Sequence, residues 1–215
     1  AMVVHYDYTV LAGTQGARNH YKQDRMFELA LRFRMPIVLF GEGGGGRPGD
    51  DSTGPAVAFD THTFTQFSKL SGAVPMVGVN HGRCFAGNTA LLACCDVIIA
   101  TKDSTIAMGG PAMIEGGGLG IYTPEEVGPM SFQVPNGVVD ILVEDEAEAV
   151  RVAKQYLSYF QGSTDSWDAP DQRKLRHIVP ENRLRLYDMR EIIATLADKD
   201  SVLEIRAGFG VGAVS

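Results

Sequence analysis

Two short stretches of this chain, Pro36-Ile37-Val38-Leu39-Phe40 and Pro75-Met76-Val77-Gly78-Val79, carry no polar side chain at all. A strand with apolar residues on both sides has to be covered on both faces, which places it inside a sheet flanked by helices. Asp96 to Ala100 supplies another strand, apolar after its first residue, and Val3 to Leu11, Val138 to Val143 and Ser201 to Ile205 read as further strands. Helical spacing lies between them. Met26, Leu29, Ala30 and Phe33 recur on one face behind a candidate cap at Asn19, and Val150, Ala153, Leu157 and Phe160 do so behind Asp145 and Glu148, a pair with the spacing of a capping box. Helices are also predicted over 56–70, Thr89 to Cys95 and 188–197, with 161–180 a long polar connection. The alternation is α/β throughout.

Composition narrows the class. A length of 215 residues, 45% hydrophobic, suits one sizeable core. No run of about 18 apolar residues is present, so no membrane span is expected, and no signal peptide is visible. The net charge of −7, without a basic cluster, argues against nucleic acid. Three cysteines, with Cys94 and Cys95 adjacent, cannot build a disulfide framework, and no paired ligand spacing points to a metal. A reduced, cytoplasmic setting fits. The chain enters its first strand without a lead-in, as an excised piece of a longer protein would.

Three glycine loops carry the chemistry. Gly41 to Gly46 matches G-x-G-x-x-G after a strand, yet Arg47-Pro48-Gly49-Asp50-Asp51 follows, which opens no helix for a pyrophosphate. It is a flexible turn or a bare backbone brought close to a ligand. In His81-Gly82-Arg83-Cys84-Phe85-Ala86-Gly87-Asn88, Cys84 stands either as the thiol of a nucleophile elbow or as a packed small residue. A third possibility uses only the backbone: the Ala86 and Gly87 amides, at a helix start, offer N–H groups to an oxyanion. In Met108 to Gly118, Gly109, Gly110 and Pro111 suggest the wall of an acyl pocket or a tight backbone crossing.

Paired glycine loops after buried strands are the device of the crotonase superfamily, and the chain closely resembles its biotin-dependent acyl-CoA carboxyltransferases. The stretches that carry the resemblance, in order, are 3–16 (Val-Val-His-Tyr-Asp-Tyr-Thr-Val-Leu-Ala-Gly-Thr-Gln-Gly), 42–47 (Glu-Gly-Gly-Gly-Gly-Arg) and 82–88 (Gly-Arg-Cys-Phe-Ala-Gly-Asn). Further along they are 109–114 (Gly-Gly-Pro-Ala-Met-Ile), 123–128 (Thr-Pro-Glu-Glu-Val-Gly) and 178–182 (Ile-Val-Pro-Glu-Asn). Two departures stand out. The family often has Gly-Gly where this chain has Ala86-Gly87, and Asp-Ser-Gly-Gly-Ala-Arg where it has Glu42 to Arg47.

The resemblance implies a crotonase-like spiral of ββα units over 1–215, the first, acyl-CoA-binding half of a carboxyltransferase truncated at both ends. It implies a second half that binds carboxybiotin, biotin carboxylase and biotin carboxyl carrier domains elsewhere, and a homo-oligomer, with no metal, nucleic acid or membrane partner. In the implied reaction the freed biotin nitrogen removes the α-proton of the thioester and the enolate captures carbon dioxide. No protein carboxylate serves as base, which leaves Glu115, Glu125 and Glu126 structural or supporting, whereas in a hydratase or isomerase one of them could be the general acid–base. The thioester oxygen is expected on the amides of Gly44, Gly45, Ala86 and Gly87. Arg18 and Lys22 are candidates for the CoA phosphates or a plain solvated helix face. The competing readings are a stand-alone hydratase or isomerase, a Cys84 hydrolase, and a non-catalytic acyl-CoA-binding domain.

Overall fold

A computed structural model describes residues 1–47, 49 and 62–214. Strands β1 (Met2–His5), β2 (Ile37–Phe40), β3 (Met76–Asn80), β5 (Val97–Thr101) and β7 (Ile141–Val143) form one sheet in the order β1-β2-β3-β5-β7. Every pairing in it is parallel, with Ile37 opposite Met76 and Val77 opposite Val97. The two wholly apolar stretches are thus neighbours. Burial follows position: β3 and β5 are buried at every residue, whereas β1, at the edge, alternates buried and exposed.

The two faces of β2 show why helices lie on both sides. Ile37 and Leu39 point into a core with Phe27 and Ala30 of α1 (Ala17–Phe33), Phe67 of α2 (His62–Ser68) and Leu91 of α3 (Gly87–Leu92). Val38, between them, points the other way, with Val77, Val79, Val97 and Ile99, onto Ala149, Val152 and Ala153 of α6 (Glu146–Ser158). Asp145 caps α6 by accepting from the Glu148 N–H at 2.8 Å. Asn19 acts differently from its expected role. Gly16 holds the cap position of α1, and Asn19, in the first turn, accepts from the Gly16 N–H at 3.1 Å.

A second, smaller parallel sheet pairs β4 (Arg83–Phe85) with β6 (Thr105–Ala107), and Gly43 bridges to Cys84 on the other side. Strand, short strand and helix therefore repeat as β3-β4-α3 and β5-β6-α4, where α4 is Pro111–Gly116. Gly43 takes the short-strand place after β2. This is the expected stack of ββα units.

Several expected boundaries move. The strand of 3–11 ends at His5, because Asp7 accepts from the Thr9 N–H and hydroxyl and its carbonyl accepts from Val10, folding the chain into a turn. The helix of 89–95 begins at Gly87 instead. Residues 201–205 form no ladder; Leu203 and Ile205 simply lay their apolar side chains on the α6 core. The helix expected over 56–70 is seen as His62–Ser68, and its earlier part, like Pro48, Asp50 and Asp51, lies outside the described residues. The glycine-rich stretch hides α4, whose Pro111 takes the first helical position. Two short helices, α5 (Met130–Gln133) and α7 (Leu175–Ile178), and a final one, α8 (Met189–Leu196), complete the chain.

Candidate oxyanion site

The site grows from the turn between β4 and α3. Ala86 caps α3 at φ 51°, ψ −120°, a conformation that strains any residue with a Cβ. The turn is held from three sides. The Ala86 N–H donates to Ala107 O at 3.2 Å, and the Thr89 hydroxyl donates to the carbonyls of Cys84 (2.8 Å) and Ala107 (3.0 Å). Strain of this kind persists only where the surroundings fix it.

The loop after β2 is seated on that turn. Asn88, fully buried, accepts the Gly45 N–H at 2.9 Å and directs its Nδ2 toward the carbonyls of Gly13 and Glu42. Gly45 has φ 85°, and a Cβ there would lie 2.6 Å from the Ala86 Cβ and 3.5 Å from the Gly87 nitrogen. Gln15 completes the seam: its N–H donates to Gly45 O at 2.6 Å and its carbonyl accepts from Arg47 at 2.8 Å.

This packing changes the expected donor set. Gly44 gives its N–H to Ala12 O at 2.9 Å, Gly45 to Asn88 and Ala86 to Ala107, so these three amides serve the fold. The Gly87 N–H, in the first turn of α3, has no partner among the described residues. Of four expected donors, one is open.

Cys84 lies inside β4 with no exposure, and its Sγ donates to Gly41 O at 3.0 Å. Burial pushes this thiol up to about 12, far from a reactive thiolate. The residue at the elbow itself is Ala86, which has no nucleophile, so the packed reading of Cys84 stands. Gly110, the cap of α4, rests on the elbow: a Cβ there would sit 3.4 Å from the Phe85 ring. Gly109 and Pro111 flank it, half-buried. Arg18 and Lys22 stand exposed on α1, which starts two residues after Gln15, and make no ion pair with a described residue.

The carboxylates are poorly placed for acid–base work. The Arg83 guanidinium holds Glu125 below the usual carboxylate range, the Thr123 N–H and hydroxyl do the same for Glu126, and Glu115 is exposed. A general acid near neutral pH needs the opposite shift. Among the described residues no cluster of three or more His, Cys, Asp or Glu could hold a metal, and no helix is long and apolar enough to cross a membrane.

Sequence reasoning missed Gln15 as a site residue. Its signal was a long polar side chain among the small residues Gly13, Thr14 and Gly16, and it is only 4% exposed.

Stacked strand–strand–helix units with an open amide at a strand–helix elbow define an α/β domain of the crotonase-like class. The chain belongs to the carboxyl transferase domain family, whose model matches residues 1–215. It is 30% identical over 215 residues to an uncharacterized carboxylase, YngE, of Bacillus subtilis (strain 168), covering 94% of this chain and 42% of that protein. It is also 30% identical over 221 residues to the methylmalonyl-CoA carboxyltransferase 12S subunit of Propionibacterium freudenreichii subsp. shermanii, covering 97% and 41%. Among solved structures, a single-chain, multi-domain long-chain acyl-CoA carboxylase superposes with TM-score 0.92 at 60% identity, over 99% of this chain and 21% of that one. The transcarboxylase 12S structure with methylmalonyl-CoA bound superposes with TM-score 0.83 at 28% identity, over 97% and 42%. The chain thus spans about two fifths of the length of these curated relatives.

Proposed function

We propose that this chain is the acyl-CoA-binding half of a biotin-dependent carboxyltransferase, and that the Gly87 N–H holds the thioester oxygen. The open Gly87 amide is the observation that carries the reading. As the α-proton leaves, negative charge collects on that oxygen, and a fixed N–H stabilises the enolate more than the ground-state thioester. Family membership and the bound methylmalonyl-CoA named for the 12S relative support an acyl-CoA substrate. Arg18 and Lys22, unpaired among the described residues on the first turns of α1, are proposed to meet the CoA phosphates. Gly109, Gly110 and Pro111, against Phe85, are proposed to border the acyl group.

The cradle fits the thioester. At Gly87 a Cβ would overlap Gln15 Oε1, so only a bare backbone lets the Gln15 amide pack against the elbow. Carboxybiotin, brought by a carrier domain, would supply the carboxyl group and the base, and we assign its seat to a second carboxyltransferase half. Within this chain, Phe64 lies against Gly87 and Phe85 against Gly110, while Asn88 holds the Gly45 N–H beside the elbow. The hexamer named for the 12S relative supports a homo-oligomer, and we assign the loading of biotin to a biotin carboxylase domain elsewhere. Free Cys84, Cys94 and Cys95 favour the cytoplasm as its setting.

The test is biotin-stimulated decarboxylation of malonyl-CoA and methylmalonyl-CoA, measured on residues 1–215 alone and with the second half restored. Activity is expected only in the restored enzyme. Turnover by the chain alone, or its absence from both, overturns the reading.

A further inference from the structure

Resting on that reading, we propose that Gln15 is a second hydrogen-bond donor to the thioester oxygen, its side-chain amide aimed over Gly87 and held there by Tyr6. Gln15 and Tyr6 are both buried, at 4% and 3% exposure. The inner end of the Gln15 amide meets Tyr6 Oη at 2.8 Å, Nε2 facing the phenol. The outer end bonds no described residue and lies where a Gly87 Cβ would be, beside the open Gly87 N–H. Gln23 of α1 is buried as well, and its Oε1 has no partner among the described residues. Two bonded polar side chains, Tyr6 and Gln15, therefore lead from the interior to the open Gly87 amide.

Its direction follows from proton counting. A phenol has one hydrogen to give and needs an acceptor for it when buried. With Gln15 Nε2 donating to Tyr6 Oη, that hydrogen has no acceptor among the bonds of the described residues, and the outer end of Gln15 is a carbonyl oxygen that repels an enolate. The oxygen and nitrogen of a glutamine amide are nearly isosteric, so a half-turn of the amide exchanges them without moving a neighbour. Tyr6 then donates to Gln15 Oε1, and Gln15 Nε2 faces the oxygen that Gly87 also binds. Negative charge arriving at the elbow selects this orientation, because a ligand shifts a two-state equilibrium by its differential interaction. No atom is transferred; the chain only aligns donors.

The experiment uses the intact enzyme containing this chain and the biotin-stimulated decarboxylation of methylmalonyl-CoA. Gln15→Met keeps length and loses the amide. It is expected to lower kcat about 100-fold, the scale of one lost oxyanion donor, with KM for the thioester changed less than about threefold and the thermal midpoint little moved. Gln15→Glu, which turns a carboxylate toward the oxyanion, is expected to fall further. Tyr6→Phe, which frees the amide but keeps the ring, should fall between wild type and Gln15→Met. A Gln15→Met enzyme with wild-type kcat overturns the proposal, as does a variant whose kcat, KM and thermal midpoint all collapse together. A wild-type enzyme with no biotin-stimulated activity overturns the carboxyltransferase reading itself.

Discussion

At the scale of single residues, Gly87 and Cys84 occupy one turn yet differ in every property that matters for chemistry. Gly87 presents an N–H with no partner among the described residues, whereas Cys84 is enclosed with its Sγ on Gly41 O. A side chain at Gly87 would press on Gln15 Oε1 and turn the peptide. Gly87→Ala in the intact enzyme is therefore expected to lower kcat about 100-fold, while substrate affinity falls less because the proposed reading puts the CoA phosphates on Arg18 and Lys22. Cys84→Ser is expected to leave kcat near wild type, since a hydroxyl can donate to the same carbonyl. Steady-state kinetics of the two variants side by side decides the matter: loss of activity in Cys84→Ser with an intact Gly87→Ala would restore the thiol as nucleophile.

Between elements, the seam of α1 with α2 anchors the site from behind. Phe27 and Phe67 are fully buried with ring centroids 4.7 Å apart, and α2 also carries Phe64, which lies against Gly87. Phe27→Ala would leave a ring-sized cavity and is expected to destabilise the domain by about 3–5 kcal/mol, read from denaturant unfolding. A loss under about 1 kcal/mol would mean that α1 and α2 do not share this core. The small sheet has a related task. Gly43 sits beside Cys84 because a Cβ there would lie 2.5 Å from Gly13 O, so the loop after β2 reaches the elbow only as bare backbone. That close approach is what the glycine run is for.

For the whole molecule, stability at high pH reports the buried polar chain. Burial raises Tyr6 from 10.0 to about 12. A group whose folded pKa is raised contributes stability that is fully present below the unfolded value and is lost as pH climbs through the folded one. Stability should thus fall between about pH 10 and 12, by up to about 3 kcal/mol from Tyr6 at about 1.4 kcal/mol per pK unit. Cys84, raised from 9.0 to about 12, adds to the same fall from a lower onset. Tyr6→Phe should flatten the fall in unfolding free energy measured across that range. An unchanged slope would mean that the phenol ionises as freely folded as unfolded.

Much of the fold was legible because it rests on local pattern. The two apolar stretches named their own place as neighbouring inner strands, and Asp145 with Glu148 fixed the start of α6 through a bond three residues long. The family resemblance, too, was carried by short motifs in order. What sequence alone could not decide was which amides stay open. Gly44, Gly45 and Ala86 look as free as Gly87 in a list of residues, and they lose their N–H groups to Ala12, Asn88 and Ala107, partners distant in sequence. Leu203 and Ile205 alternate like a strand, yet they bury their side chains without finding a ladder. Gln15 came to the candidate site only when Tyr6, Gly45 and Gly87 closed around it. Hydrophobic period and caps act within a few residues, so the chain states them directly. Hydrogen-bond partnership across loops is settled by packing, and only the folded chain brings those donors and acceptors within reach of one another.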